Sequence, residues 1–331
     1  MNLDTQSNLE TRSPSLIARN GGEYRYPFPP FPNGWFPIAF SHLLGNGELI
    51  AKQVLGQEVV IYRTESGVAN VIGAYCPHLG AHIGKGGAVV GEHISCPFHH
   101  WEFGLDGRCK HALGARRVPD AGVDTLHTME KNGMIFLWHD SAGRAPHWDI
   151  PLLEETVSDD YVFVGHSEFY IRTHPQEMAE NLPDFVHFRC VHGWSPDNIE
   201  WHCDYSERST TVIMNVTGNS EAITTTHNTD KLHVTTMGPA YNFTRFVGRF
   251  RGLAILMFCP TEAGMLYSPL LFWAHKSIPE ADAKAWMQGY VRDYSMDIEI
   301  LENKRYLANP RMSDADGPIH KMRRWYQQWY S

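Results

Sequence analysis

The chain has no long hydrophobic run: its longest apolar stretches, Gly252–Cys259 and Leu270–Ala274, fall far short of the ~18 residues a membrane-spanning helix requires. Its first residues, MNLDTQSNLETRSPS, contain no apolar segment of the kind that directs secretion, so no membrane span and a cytoplasmic location are expected. Positive charge is also in deficit. With 28 Lys and Arg against 37 Asp and Glu the formal net charge is −9, a field that repels nucleic-acid backbones and anionic lipids. Six cysteines spread over 331 residues make no disulfide framework, which points to a reducing compartment. Internal repeats and low-complexity tracts are absent too.

What remains is an ordinary globular composition, 43% hydrophobic and 20% charged, with one excess: 19 histidines. Length suggests about two domains. Residues 1–20 read as a polar leader, and the proline- and aromatic-rich stretch Tyr24–Gly34 as an extended arm lying on the body. Up to about Asp140, short apolar runs between glycines (Leu49–Leu55, Glu58–Tyr62, Val68–Ala74, His93–Cys96, Met134–Trp138) predict a small all-β domain. Ser141–Pro146 reads as a linker. Beyond it, Val162–Arg172 reads as a strand and Pro175–His192 as helical. Thr210–Thr217, Ala222–Thr226, Lys231–Met237, Ala240–Cys259 and Leu266–Ala274 read as one antiparallel sheet, followed by helices at Pro279–Tyr306 and His320–Tyr330. The expected fold is α+β: an arm at 1–34, the β-domain at 35–140, and an antiparallel-sheet-and-helix domain, helix-grip-like, at 141–331.

Two loops carry the first chemical signal. Cys76-Pro-His78 is followed, after seventeen residues, by Cys96-Pro-Phe-His99. Thiolates suit a clustered soft metal and neutral imidazoles withdraw charge from one half of it, the ligation of a Rieske [2Fe–2S] centre in which each loop gives one Cys to one iron and one His to the other. A structural zinc site is the competing reading, but zinc frameworks usually open with C-x₂₋₄-C and keep their histidines together, whereas here Cys and His alternate. His82, His93 and His100 lie off this spacing and read as packing or surface groups, and Cys109, Cys190, Cys203 and Cys259 as inert thiols.

A cluster of this kind only carries electrons, so a second centre must use them. In Asp184-Phe-Val-His187-Phe-Arg-Cys-Val-His192 the two histidines are five residues apart, about 140° around an ideal helix. They meet at one metal only if the helix breaks near Arg189–Val191. Two imidazoles and one carboxylate make the facial triad that leaves positions open on Fe(II) for water and O₂. The sequence favours Asp297 as third ligand over Asp293, Glu299 and Glu302, and Asp184 is placed to hydrogen-bond a ligand from outside the metal's reach.

From about Trp35 to its end the chain resembles the α-subunit of a Rieske non-haem iron oxygenase. The resemblance is nearest to the oxygenase component of 3-ketosteroid 9α-hydroxylase and to sterol-acting Rieske enzymes such as cholesterol 7-desaturase. It rests on Cys96-Pro-Phe-His-His-Trp, Ala115-Arg-Arg-Val-Pro, Asp297-Ile-Glu-Ile-Leu-Glu-Asn-Lys, and Asp316-Gly-Pro-Ile with Arg323-Arg-Trp-Tyr-Gln-Gln-Trp-Tyr. It implies one [2Fe–2S] cluster and one mononuclear Fe(II) per subunit, held by Cys76, His78, Cys96 and His99 and by His187, His192 and Asp297. It further implies a head-to-tail homotrimer in which Asp184 bridges His99 of one subunit and His187 of the next.

The activity expected is O₂-dependent hydroxylation, or further oxidation, of an apolar polycyclic substrate such as a steroid or sterol. The alternatives are an aromatic-acid O-demethylase or ring hydroxylase, with Arg245, Arg249 or Arg251 meeting the acid, and an electron-transfer protein without catalysis of its own. No G-x-G-x-x-G follows a strand and no plant-type C-x₄-C-x₂-C is present, so electrons are expected from a separate NAD(P)H-dependent reductase, with or without a ferredoxin. Lys85, Arg108, Lys110, Arg116 and Arg117 flank the cluster loops and suit an acidic donor.

Overall fold

The structure, a computed structural model, describes residues 24–203, 208–218 and 230–331. The readings of 1–20 as a leader and of Ala222–Thr226 as a strand, and that of Cys203's side chain as inert, lie outside the described residues.

The N-terminal half is built from three small antiparallel sheets. β1 (Gly34–Phe40) pairs with β10 (Met134–His139), which pairs with β9 (Thr128–Lys131). β2 (Leu49–Val54), β3 (Gln57–Arg63) and β4 (Ala69–Gly73) form a meander. The third sheet, β5 (Ala88–Val90), β6 (His93–Ser95), β7 (Glu102–Phe103) and β8 (Cys109–His111), lies beside the two cysteine loops. Val60, Tyr62, Ile72, Ile83, Ile94 and Phe103 make one compact core under those loops, with Cys76 and Cys96 at its edge.

The C-terminal half is an antiparallel sheet of eight strands among the described residues, in the order β11 (Tyr161–Ile171), β18 (Met265–His275), β16 (Gly252–Met257), β15 (Tyr241–Val247), β14 (Asp230–Met237), β13 (Ser209–Gly218) and β12 (Trp194–Cys203), with β17 (Cys259–Glu262) on β18. One sequence reading changes here, and one strand is new to it. The stretch Ala240–Cys259 is not one strand but three, broken at the turn Gly248–Arg251 and again at Phe258. Trp194–Cys203 is a strand that its Pro-Asp-Asn core disguises, and its register shifts between Pro196 and Asn198.

Pro175–His192 likewise divides into α1 (Pro175–Asn181) and α2 (Phe185–Cys190), because Pro183 between them has no N–H to continue a helix. The long α3 (Glu280–Asn303) lies against the sheet, its Trp286 among Phe246, Phe250 and Phe272. A final helix, α4 (Ile319–Tyr326), buries Met322, Trp325 and Tyr326.

The two halves share apolar contacts. The larger core runs from Phe36 and Phe136 through Val59 and Ile61 to Leu270 and Trp286. Backbone bonds from Leu55 to Pro260 and from Gly56 to Thr261 extend this seam. The arm also earns its order: Arg25 donates to the carbonyls of Leu301 and Glu302 at the negative end of α3 and to that of Arg172.

Candidate metal centres and substrate cavity

The two cysteine loops are built alike. The Cys76 carbonyl accepts from Gly80 and its N–H donates to Ala81, and Cys96 repeats the pattern with His100 and Trp101. Gly80 and His100 therefore occupy the same left-handed corner, at φ 73° and 52°. This fold-back puts His78 and His99 side by side with ring centroids 4.7 Å apart, and Trp101 stacks flat on His78 at 4.3 Å. Burial, reinforced by the adjoining Cys96 thiol, pushes Cys76 up to about 11, while the His78 N–H donates to its sulfur. Two adjacent buried thiols, carried on the same two loops as two paired imidazoles, fit a [2Fe–2S] cluster that displaces the thiol protons on binding. His82 packs on Tyr75 and His93 bonds Glu102, so neither joins the quartet.

The second group assembles at the end of α2. The helix stops at Cys190, Val191 bonds back to the His187 carbonyl, and Gly193 turns at φ 68°. That turn swings His192 onto the side of His187, with ring centroids 5.2 Å apart. Asp297 arrives from the buried face of α3, its Oδ1 3.4 Å from His192 Nε2. One donor atom from each of His187, His192 and Asp297 lies within 4.8 Å of the others. Burial holds His187 below the usual imidazole range, so it offers a neutral ring. Two imidazoles facing a carboxylate only 8% exposed fit a divalent iron, whose charge compensates the buried anion. Asp184 caps α2, and it is its backbone carbonyl, not its carboxylate, that meets His187 Nδ1.

A Cβ on Gly317 would lie 1.7 Å from the Pro183 carbonyl oxygen. Only glycine lets the Asp316-Gly-Pro-Ile segment press on the turn that precedes His187.

Beside the three donors opens a cavity of about 110 Å³. Its walls include Met178, Leu182, Phe188, Leu232, Leu256 and Phe258, its acidic and imidazole lining groups are His187, His192, Asp293 and Asp297, and among the described residues no Lys or Arg lines it. The arginines expected for an acidic substrate lie elsewhere: Arg245 pairs with Glu155, and Arg251 bonds His275 and Ser277.

The family model described as Rieske [2Fe-2S] domain matches residues 34–122, and that described as 3-Ketosteroid 9alpha-hydroxylase C-terminal domain matches residues 137–330. The chain belongs to this family of Rieske oxygenases. Its cofactors are accordingly a [2Fe–2S] cluster and a mononuclear non-haem iron. The oxygenase is 30% identical to cholesterol 7-desaturase nvd of Xenopus laevis over 96% of its own length and 75% of that protein's. It is 28% identical to the oxygenase component of 3-ketosteroid-9-alpha-monooxygenase of Rhodococcus rhodochrous, over 91% and 81%. Among solved structures, dicamba monooxygenase bound to dicamba superposes with a TM-score of 0.74 at 19% identity, covering 90% of this oxygenase and 97% of that chain, which shows the shared fold.

Sequence reasoning did not find Asn181, whose amide lies 3.3 Å from Asp297 Oδ2, nor the bond from Trp194 Nε1 to Asp293 Oδ2 at 2.9 Å. Neither residue stands at a motif spacing; only the approach of α1 and β12 to α3 reveals them.

Proposed function

We propose that this protein is the terminal component of a multicomponent monooxygenase that oxidises a steroid or sterol. The observation that carries the reading is the cavity: apolar walls, no cationic side chain, and three convergent donors at one side. An aromatic acid would want a guanidinium there, and none lines it. The relatives named above act on cholesterol and 3-ketosteroids by their names, which favours the same class.

In this reading residues 1–34 are the arm, 35–140 the Rieske domain with ligands Cys76, His78, Cys96 and His99, and 141–331 the catalytic domain with ligands His187, His192 and Asp297. When bound, the cluster supplies electrons and the iron activates O₂. The chain's own work is to hold the donors apart and oriented, to bury the substrate, and to exclude water from it.

The cluster loops present Leu79, Phe98, Leu113 and Val118 to solvent, an apolar collar that supports burial against a second copy in a homotrimer. Asp184, half-buried at the start of α2, is then the link from His99 of one subunit to His187 of its neighbour. The electron donor is a separate reductase docking near Arg116 and Arg117. Among the described residues no helix is long and apolar enough to cross a membrane, and we place the enzyme in the cytoplasm.

Anaerobic purification with iron, sulfide and EPR analysis tests the centres: about three iron and two sulfide per subunit with a Rieske signal is expected. Turnover of a steroid and sterol panel with a surrogate reductase then tests the substrate. Two iron and two sulfide with no turnover would reduce the protein to an electron carrier.

A further inference from the structure

Along one row of the sheet's inner wall the buried side chains are polar. Across β13, β14 and β15 the register aligns Thr210 with Thr236 and Thr236 with Asn242, and directly opposed residues share a face. Asn242 lines the cavity, so the row faces the same side as the cavity wall. Thr210 and Thr236 are 1% exposed and Asn242 8%. Thr210 Oγ1, Thr236 Oγ1 and Asn242 Oδ1 are all buried and, among the described residues, meet no hydrogen-bond partner.

The neighbouring residues show that this is not a general property of threonine here. On the opposite face of the same two strands Thr211 and Thr235 bond each other at 3.1 Å. One row along the inner face, Thr244 is engaged by the Tyr290 hydroxyl. Buried polar atoms are normally satisfied, and three aligned oxygens left open on the sheet face that Asn242 carries into the cavity need an occupant to complete them. Two hydroxyls and an amide oxygen can together accept a hydrogen bond and donate one. That combination matches an alcohol, which does both, better than a ketone, which only accepts.

We propose that Thr210, Thr236 and Asn242 form a polar stripe that receives a hydroxyl group of the substrate, so that the enzyme takes a hydroxysterol in preference to the corresponding ketosteroid. The inference rests on the steroid or sterol reading above and narrows it. The occupant's hydroxyl donates to Asn242 Oδ1 and accepts from a threonine, while its rings lie against Leu256, Phe258 and Val234. No covalent step is involved; the stripe sets orientation and specificity.

The experiment compares equilibrium binding of cholesterol with cholest-4-en-3-one, and of pregnenolone with progesterone, to the iron-loaded enzyme and to its Asn242→Leu and Thr236→Val variants. Roughly tenfold tighter binding of each alcohol is expected, a preference that shrinks to about twofold in either variant. Thermal unfolding of the ligand-free variants supplies a readout that a merely structural role would not give. Removing an unpartnered buried oxygen without changing shape should leave Tm unchanged or raised in Thr236→Val even as the alcohol binds less well. Equal binding of alcohol and ketone, or tighter ketone binding, overturns the stripe and leaves the steroid reading intact. Binding of none of the four overturns both. A variant with lowered Tm and proportionate loss for both ligand types also overturns it, since the row would then serve packing alone.

Discussion

Asn181 Nδ2 lies 3.3 Å from Asp297 Oδ2, so the last residue of α1 holds the carboxylate that α3 brings to the two histidines. The other oxygen of the same carboxylate faces His192 at 3.4 Å. One carboxylate thus ties together three segments far apart in sequence, and its orientation is fixed by an amide that cannot itself compete as an anion. Replacing Asp297 with Ala removes the ligand outright: iron should fall from about three to about two per subunit while sulfide stays near two. Asn181→Ala should be milder, weakening iron retention by about 10–100-fold against a chelator with the cluster spectrum unchanged. Loss of cluster and iron together in either variant would mean that the substitution unfolds the protein instead.

His174 predicts an acid sensitivity whose direction follows from its bonds. Its Nδ1 accepts from the Gln176 N–H at 3.0 Å, capping α1, and its Nε2 donates to the Pro29 carbonyl at 3.1 Å, pinning the arm. The Nδ1 bond requires the neutral ring, whereas the Nε2 bond survives protonation, and burial lowers the pKa to about 3. The unfolded chain, with a pKa near ~6.5, takes up the proton first, so this contribution is complete above that value and declines as pH falls toward 3. Between about pH 7.5 and about pH 5 the loss should be about 2 kcal/mol. Urea unfolding at both pH values should show that loss in the wild type and a shallower one in His174→Gln, which starts less stable because the cap is weakened. Parallel slopes would assign the acid sensitivity to other groups.

Arg116 and Arg117 are exposed beside the cluster loops, whereas Arg108 and Lys110 already face Asp120 and Asp106. Reversing the first two to Glu should slow reduction by an acidic donor by about tenfold at low salt, the difference shrinking as salt rises. Reduction by dithionite, which needs no docking, should not change. Stopped-flow measurement of both reactions decides the matter, and equal donor rates would move the docking surface elsewhere.

Much of this was legible in the chain because ligand spacing is local. Cys76-x-His78 and Cys96-x-x-His99 state their chemistry within a few residues. The required break after His187 followed from the five-residue spacing, and the helix does end at Cys190. What stayed hidden depends on contacts between distant segments. Thr210, Thr236 and Asn242 are unremarkable in their strands until the register aligns them. Trp194–Cys203 hides as a strand because Pro196, Asp197 and Asn198 read as a turn, and the bulge that accommodates them is a property of the pairing. Asn181 looks like a helix terminus and meets the carboxylate of the His187–His192–Asp297 group only when α3 arrives.

Gly317 extends the same lesson to a residue with no functional group. Its Cα packs so closely on the Pro183 peptide that an added methyl would sit 1.7 Å from the carbonyl oxygen, 2.8 Å from its carbon and 3.1 Å from Phe185 Cδ2. Neither the peptide nor the ring can yield that far without moving the turn that sets the start of α2. His187 lies in that helix, and its Nδ1 is held by the carbonyl of Asp184 within the same turn. Gly317→Ala should therefore cost about 1–3 kcal/mol of stability and displace His187 from Asp297. The iron should be lost at chelator concentrations the wild type withstands, while the cluster, in a separate core, keeps its EPR signal. Full iron retention with only a lowered Tm would show that the tail shifts in place of the turn, and the close approach would then matter for folding alone.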